Sequence, residues 1–227
     1  MTSPTPQATG PTLEASGLSC ERGGRRVFSD LSFSVSAGEA LLVTGPNGAG
    51  KSSLLRTIAG LVVPVAGTLS FSGGDPEISL GAQCHYFGHD NALKLQLTVT
   101  ENLDFWHRFY GDTGKTVEEA LEAVRLARLG HLPAAVLSAG QRRRLALARL
   151  IVSHRPIWLL DEPTAALDTA SAERFGTLVT AHLLAGGIVI AVTHTPLPLA
   201  ETKSLRMGET PLTEPPLTEP TMTEVQP

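Results

Sequence analysis

The chain has few cysteines and no long apolar run. Only two of its 227 residues are cysteine, Cys20 and Cys84, and they lie far apart with no C-x-x-C pair. This spacing favours buried free thiols in a reducing compartment over a disulfide or a metal site. No segment approaches the roughly 18 apolar residues that a membrane-spanning helix requires. We therefore expect a protein that reaches a membrane only through a partner.

Charged residues are also scarce, at 18% of the chain with a net charge of -4. Nucleic-acid-binding domains usually carry a basic patch or stripe, so we expect no nucleic acid among the partners. Residues 1–10 are polar and rich in proline. Because they contain no apolar segment, we expect no signal peptide and an intracellular location. The length suits one α/β domain, with or without a small subdomain.

Segments of strand character lie on both sides of a helical region. Leu31, Phe33 and Val35 alternate with serines, which is typical of a half-buried antiparallel strand. Uninterrupted apolar runs elsewhere predict buried strands of a mainly parallel sheet. The predicted strands cover residues 13–20, 27–35, 41–43, 67–71, 85–87, 157–160 and 188–192.

A helical subdomain is predicted at about residues 90–155, where apolar residues recur at helical spacing. Near the end of the chain, Pro-Leu-Thr-Glu-Pro at 211–215 is repeated at 216–220, which is typical of an unstructured tail. We predict a disordered lead-in at 1–12, an ordered domain at 13–200 and a disordered tail at 201–227. The predicted helices cover residues 99–110, 117–129, 141–152 and 170–184, in addition to one that begins near residue 51.

A glycine-rich loop of the form G-x-x-x-x-G-K-[ST] lies between an apolar strand and a helix. Its glycines allow backbone N–H groups to form an anion-binding nest, and the helix adds its positive N-terminal end. In such a loop Lys51 reaches the β- and γ-phosphates and Ser52 ligates Mg²⁺. A chance glycine-rich turn is the alternative. The candidate nucleotide-binding residues here are Gly45, Pro46, Asn47, Gly48, Ala49, Gly50, Lys51, Ser52 and Ser53.

Two apolar strands end in titratable residues, one in Asp161 and Glu162 and the other in a segment that reaches His194. The carboxyl ends of parallel strands face the ligand crevice, which places Asp161 to hold Mg²⁺ beside Ser52. Glu162 is then the candidate base for the water that attacks the γ-phosphate. His194 can hold that water in line. The alternatives are an exposed acidic turn and a solvent-facing histidine.

A further candidate segment, Leu-Ser-Ala-Gly-Gln at 137–141, opens the last helix of the helical subdomain. Ser138 suits a helix N-cap, and the small residues leave N–H groups available to an anion. Because the chain already has its own phosphate loop, we expect this segment to serve a nucleotide on another subunit. A capped helix start without a ligand is the commoner meaning of such a sequence.

In this order, the loop, the 137–141 segment, the two acids and the histidine resemble an ATP-binding cassette (ABC) ATPase over about residues 13–196. The resemblance implies an α/β P-loop NTPase core with a mainly parallel sheet, an antiparallel β subdomain and a helical subdomain. It implies ATP and Mg²⁺ as ligands and catalytic roles for Lys51, Glu162 and His194.

The same resemblance implies a homodimer in which two ATP molecules lie between head-to-tail protomers. Ser138 and Gly140, with Gln141 beside them, would contact the nucleotide of the opposite protomer. Residues 165–168 resemble the D-loop at the dimer seam.

Two positions depart from the family pattern. His89 stands where the family usually has a glutamine that reaches Mg²⁺ or the attacking water. Arg22 stands where an aromatic residue commonly stacks on adenine; a guanidinium plane can also stack on a base. We therefore predict a metal or water contact for His89 and an adenine contact for Arg22.

With these departures, the chain resembles more narrowly the ATP-binding subunits of bacterial haem exporters that serve c-type cytochrome maturation. That likeness implies integral membrane partner subunits and a place on the cytoplasmic face of the inner membrane. Direct haem binding by His85 or His89 is not expected, because a satisfied histidine or one at the ATP site is commoner than an axial ligand. The alternatives are a soluble ABC-type ATPase that acts on ribosomes or DNA, and a small-molecule P-loop kinase.

Overall fold

The computed structural model describes residues 10–111, 114–194, 199 and 202–208. Within these ranges the strands form one antiparallel and one parallel sheet. The antiparallel sheet contains β1 (Thr12–Arg22), β2 (Arg25–Ser36) and β4 (Ala66–Ser72), in the order β2-β1-β4. The parallel sheet contains β3 (Ala40–Thr44), β5 (Cys84–Phe87), β6 (Ile157–Asp161), β7 (Ile188–Val192) and β8 (Lys203–Arg206), in the order β5-β6-β7-β3-β8.

The helices of the described residues follow the predicted order. Short 3₁₀ turns lie at Leu80–Gln83, Ala127–Leu129 and Ala134–Val136. None of the helices in the part of the chain that the structure describes is long and apolar enough to cross a membrane. The helices are α1 (Lys51–Ile58), α2 (Val99–Tyr110), α3 (Val117–Ala123), α4 (Ala139–Val152) and α5 (Thr169–Leu184).

The hydrophobic patterns explain both sheets. Every residue of β6 and β7 is buried, as expected for central strands of a parallel sheet that is covered on both faces. Along β2, Leu31, Phe33 and Val35 turn inward while the serines between them lie at the surface. The predictions of a mainly parallel sheet and of an antiparallel strand over 27–35 are confirmed.

Helix α4 joins two of the apolar cores. On one side, Leu147 and Leu150 pack with Trp158 of β6 in the core that also holds α5. On the other side, Leu145 and Ala148 belong to the core of the helical subdomain with α2 and α3. A third core, around α1, fills the space between the two sheets. Helix α4 therefore packs against both the parallel sheet and the other helices of the helical subdomain.

The predicted helix over 117–129 is too long. Helix α3 ends at Ala123, and Arg125 adopts a left-handed conformation with φ 56°. The left-handed conformation breaks the helical pattern, and a separate 3₁₀ turn forms at Ala127–Leu129. Apolar spacing could not show this break, because it depends on one backbone angle.

The prediction that the ordered domain ends at residue 200 is also wrong, because one strand lies beyond it. Strand β8 lies beyond it and pairs in parallel with β3, from Leu41 opposite Lys203 to Thr44 opposite Arg206. Only Leu205 in this strand is apolar, and short edge strands commonly carry charged residues in place of an apolar pattern. At the other end, β1 begins at Thr12, the last residue of the predicted lead-in. The repeat at 211–220 lies outside the described residues.

Candidate functional site

The glycine-rich loop connects β3 to α1, as predicted. Gly45, Gly48 and Gly50 have φ angles of 135°, 83° and 91°, which residues with a Cβ rarely adopt. Gly50 is the N-cap of α1 and provides no side-chain hydrogen bond to the first turn. The first N–H groups of a helix have no partner within the helix, so those of α1 are available to an anion. This arrangement fits a phosphate group.

The Lys51 ammonium group lies over this loop. Its side chain is buried, and Nζ donates to the carbonyl oxygens of Gly45 at 2.8 Å and Pro46 at 2.9 Å. These two bonds hold the positive charge next to the helix N-terminus, where phosphate oxygens would bind.

Residues outside the loop fix its path. A Cβ at Gly45 would lie 2.3 Å from the Met207 carbonyl oxygen, just after β8, and a Cβ at Gly50 would lie 2.6 Å from the Val27 side chain. Met207 N also donates to the Thr44 carbonyl oxygen at 2.9 Å. The loop is therefore packed between β2 and the end of β8, and sequence patterns gave no sign of the second contact.

The two acids lie at the carboxyl end of β6. Asp161 is buried and pairs with Val192 of β7. Glu162 N donates to the Val192 carbonyl oxygen at 2.8 Å, and Glu162 has a φ of 49°. The left-handed conformation turns Glu162 out of the strand direction at the edge where β7 also ends.

His194 meets Glu162 at this edge. The backbone N–H of His194 donates to Glu162 Oε2 at 3.3 Å, and His194 Nε2 lies 3.6 Å from Glu162 Oε1. Both side chains retain contact with solvent, at 65% and 29% relative exposure. The structure thus places these two sequence-predicted residues together, with a histidine able to orient the carboxylate.

Ser52 and Asp161 offer the oxygen donors that Mg²⁺ prefers. The described residues contain no group of three or more His, Cys, Asp or Glu side chains that could hold a metal. A hydroxyl and one carboxylate suit Mg²⁺ in particular, because this ion is usually held by one or two protein groups together with substrate phosphates. The oxygen donors of Ser52 and Asp161 are therefore of the type that the predicted ion prefers.

His89 and Arg22 are both exposed. The carbonyl oxygen of His89 accepts a hydrogen bond from Arg143 at 3.4 Å, which brings this turn beside the end of β6. Arg22 lies at the end of β1 opposite Arg25, on the hairpin whose second strand touches Gly50. The metal or water contact of His89 and the adenine contact of Arg22 remain predictions.

The 137–141 segment forms the start of α4. Ser138 Oγ accepts from Gln141 N at 3.2 Å, and Gln141 Oε1 accepts from Ser138 N at 2.8 Å, so the predicted N-cap is part of a capping box. Gly140 lies against Ala166, since a Cβ there would be 3.2 Å from the Ala166 carbonyl oxygen. Ser138 itself is exposed. Among the described residues, no hydrogen bond joins this segment to the loop at 45–52.

His85 is a buried histidine with a backbone partner. It is 1% exposed, and its Nε2 donates to the Ser153 carbonyl oxygen at 2.9 Å. Burial lowers the pKa of His85 from 6.5 to about 3. The interpretation of His85 as a satisfied histidine is confirmed.

Sequence reasoning missed Arg143, a buried charged residue at the centre of this region. Its guanidinium group donates to the carbonyl oxygens of Gly88, just after β5, and of Glu162, just after β6. One signal was available: Arg143 precedes Leu147 and Leu150 by four and seven residues, which places an arginine on the buried face of α4.

Comparison with known proteins places this chain in a family. Residues 28–165 match the family model described as ABC transporter. The cytochrome c biogenesis ATP-binding export protein CcmA of Rhodopseudomonas palustris (strain BisB5) is 56% identical over 196 residues, which cover 86% of this chain and 98% of that protein.

Solved structures give the same fold. One described as the structure of the ATP binding subunit of an ABC transporter is 26% identical, with a TM-score of 0.72 over 80% of this chain and 79% of that one. A bacterial Atm1-family ABC exporter with ATP bound is 25% identical, with a TM-score of 0.74 over 91% of this chain and 39% of that one. The chain therefore belongs to the ABC transporter ATPases and, within them, to the CcmA family of cytochrome c biogenesis ATP-binding export proteins.

Proposed function

We propose that this chain is the ATP-hydrolysing subunit of an export complex for c-type cytochrome maturation, and that the exported cargo is haem. The observation that carries the hydrolytic part is the pairing of Glu162 with His194 at the same sheet edge as the phosphate loop. The export function rests on the family membership.

The loop binds the triphosphate of ATP. Backbone N–H groups of residues 48–53 surround the β- and γ-phosphates, and Lys51 exchanges its two carbonyl contacts for phosphate oxygens. Ser52 and Asp161 hold Mg²⁺, which when bound neutralises charge that builds up on the phosphates. Arg22 stacks on the adenine from the β1–β2 hairpin.

Glu162 accepts the proton of the water that attacks the γ-phosphate. Its backbone is held by Val192, and its carboxylate receives the His194 N–H, so little reorganisation is needed when the water binds. His194 orients both the carboxylate and the γ-phosphate through its ring. A positioned general base contributes about 10²–10⁴-fold to a rate.

A second copy of the chain completes each site. Ser138, Gly140 and Gln141 are exposed or half-exposed at the start of α4, whose N-terminal end attracts anions. In a head-to-tail homodimer this end faces the γ-phosphate bound by the partner, and residues 165–168 line the seam. The contact between Gly140 and the Ala166 carbonyl couples these two parts of the interface.

A surface on α2 is the docking site for the integral membrane subunits. We call it the α2 aromatic surface; it is formed by Phe105 and Phe109, which are 41% and 66% exposed. The Phe105 and Phe109 rings stack at 5.9 Å, and Lys94 lies 4.8 Å above Phe105. Apolar side chains grouped at a surface mark protein interaction sites. Docking there would keep this subunit at the cytoplasmic face of the inner membrane.

A role on ribosomes or DNA is not favoured, because the relatives at 51–56% identity are named export proteins. The low overall charge agrees with this choice.

Two substitutions test the mechanism. Glu162→Gln keeps the size of the side chain but removes the base, so it should lower kcat by about 10²–10⁴-fold and accumulate an ATP-bound dimer on size exclusion. Adding Ser138→Arg to this variant should abolish the dimer while the affinity of the monomer for ATP is retained.

Each outcome has a clear opposite. Turnover that is unchanged in Glu162→Gln would remove this residue as the base. Loss of ATP binding in the Ser138→Arg monomer would contradict a site shared between protomers. In cells that lack their own copy, Glu162→Gln should also fail to restore covalently bound haem in c-type cytochromes, and normal restoration would contradict the export role.

A further inference from the structure

Arg143 connects the turn that follows β5 to the end of β6, beside the candidate hydrolytic site. It lies on α4, is 4% exposed, and its guanidinium carbon is 4.0 Å from the centre of the Phe87 ring. One terminal nitrogen, Nη1, donates to the carbonyl oxygens of Gly88 at 3.1 Å and His89 at 3.4 Å and to Asn91 Oδ1 at 3.1 Å. These contacts fix the turn that follows β5.

The other terminal nitrogen, Nη2, binds the end of β6. It donates to the carbonyl oxygens of Asp161 at 3.3 Å and Glu162 at 2.5 Å. The Glu162 carbonyl also accepts from Ala165 N at 3.2 Å. Together with the bond from Glu162 N to Val192, these contacts hold the Glu162 backbone in its left-handed conformation, which is unfavourable for a residue with a side chain.

Lysine could not make this set of contacts. The planar guanidinium group directs its donors to two sides at once, whereas the lysine ammonium group is a compact point charge on a flexible chain. All five acceptors are neutral oxygens, and the charge of Arg143 is balanced at a longer distance by Asp161 and Glu162. Burial lowers the pKa of Arg143 to about 10, so the group stays protonated at neutral pH.

From this geometry we infer that Arg143 is a positioning residue for hydrolysis, which sets the placement of Glu162 relative to the His89 turn. The inference rests on the proposed role of Glu162 as the base. Arg143 makes no hydrogen bond to the loop at 45–52 among the described residues, so we expect its loss to affect turnover more than ATP binding. Because Arg143 is on the same helix as Ser138, it also ties the start of α4 to the hydrolytic edge of its own chain.

The test compares Arg143→Gln with a matched variant, Arg149→Gln. Arg149 is on the same helix, is 6% exposed, lies 4.7 Å above the Trp106 ring and donates to one carbonyl oxygen, that of Tyr86. It therefore shares the burial and the ring contact of Arg143, but its carbonyl partner lies within β5 and away from Glu162.

Steady-state ATP hydrolysis should separate the two variants. A displacement of about 1 Å at a reacting group can lower a rate by about 10²-fold, so we expect Arg143→Gln to lose about that factor in kcat with KM for ATP within about threefold. Arg149→Gln should keep kcat within about threefold of wild type, even if its melting temperature falls as far as that of Arg143→Gln. Arg143→Lys, which keeps the charge but not the planar group, should remain about tenfold below wild type.

Three results would overturn the inference while leaving the proposed function intact: wild-type kcat in Arg143→Gln, wild-type kcat in Arg143→Lys, or an equal loss of kcat in Arg149→Gln. If Arg143→Gln does not fold, the kcat of Arg143→Lys alone tests the inference. Failure of the proposed function would look different, because Glu162→Gln would then hydrolyse ATP at the wild-type rate.

Discussion

Replacing Gly45 by alanine would push a methyl group into the backbone that follows β8. The added Cβ would lie 2.3 Å from the Met207 carbonyl oxygen, about 1 Å short of the 3.4 Å at which ordinary contact begins. The φ of 135° is a second obstacle, because such a conformation costs a residue with a Cβ about 1–3 kcal/mol. Overpacking adds about 1–3 kcal/mol.

The two effects together should lower the free energy of unfolding by about 3–4 kcal/mol, or the melting temperature by about 10 °C for a chain of this size. The matched control is Gly186→Ala. Gly186 has a φ of 86°, but a Cβ there would meet no atom within 4 Å, so only the backbone effect remains. It should lose about a third of the stability that Gly45→Ala loses.

Thermal and urea denaturation of both variants without nucleotide measure the difference. ATP titration should also show weaker binding to Gly45→Ala, because the loop must shift to relieve the contact. If the two variants lose the same stability, the Met207 carbonyl does not support the loop, and β8 has no role in forming the candidate site.

Two further predictions concern the buried histidine and the α2 aromatic surface. Because burial lowers the pKa of His85 from 6.5 to about 3, the folded chain binds fewer protons than the unfolded chain in this range, and stability falls as the pH falls through it. His85→Gln does not titrate, so between pH 7 and pH 4 it should lose about 3 kcal/mol less stability than wild type; an identical loss in urea denaturation would contradict this assignment. Phe109→Ser should reduce co-purification with membrane subunits while the ATPase rate of the isolated chain stays within about twofold, because Phe109 is 66% exposed and exposed side chains contribute little to folding. Leu184→Ser, at a site that is 85% exposed on α5, is the control, and equal loss of partners in both variants would exclude a specific docking surface.

The sequence was most informative where local pattern and chemistry coincide. The strand–loop–helix around residues 45–52 and the apolar strands that end at Asp161 and Val192 could be predicted because each pattern is contained within one short segment. The antiparallel strand was predictable from the alternation of Leu31, Phe33 and Val35 with serines. Patterns that lie within one short segment can be recognised from a single sequence.

The contacts that the sequence did not reveal all depend on distant segments. Strand β8 is short and has one apolar residue, and its order comes from pairing with β3, which is about 160 residues earlier in the chain. Arg143 gains its importance from carbonyl groups that follow β5 and β6, and any residue type supplies a carbonyl. The sequence therefore cannot show which residues accept such hydrogen bonds, because their side chains are not involved.

At position 162, the residue that the proposed hydrolysis requires differs from the residue that would stabilise the fold most, because the backbone there is left-handed. Glycine and asparagine adopt a φ near 49° more readily than glutamate does, so the proposed base occupies a position for which it is not the most stabilising residue. A library of variants selected only for heat resistance should collect glycine or asparagine at position 162, and those variants would bind ATP without hydrolysing it. Efforts to make this ATPase more robust should therefore hold this one residue constant.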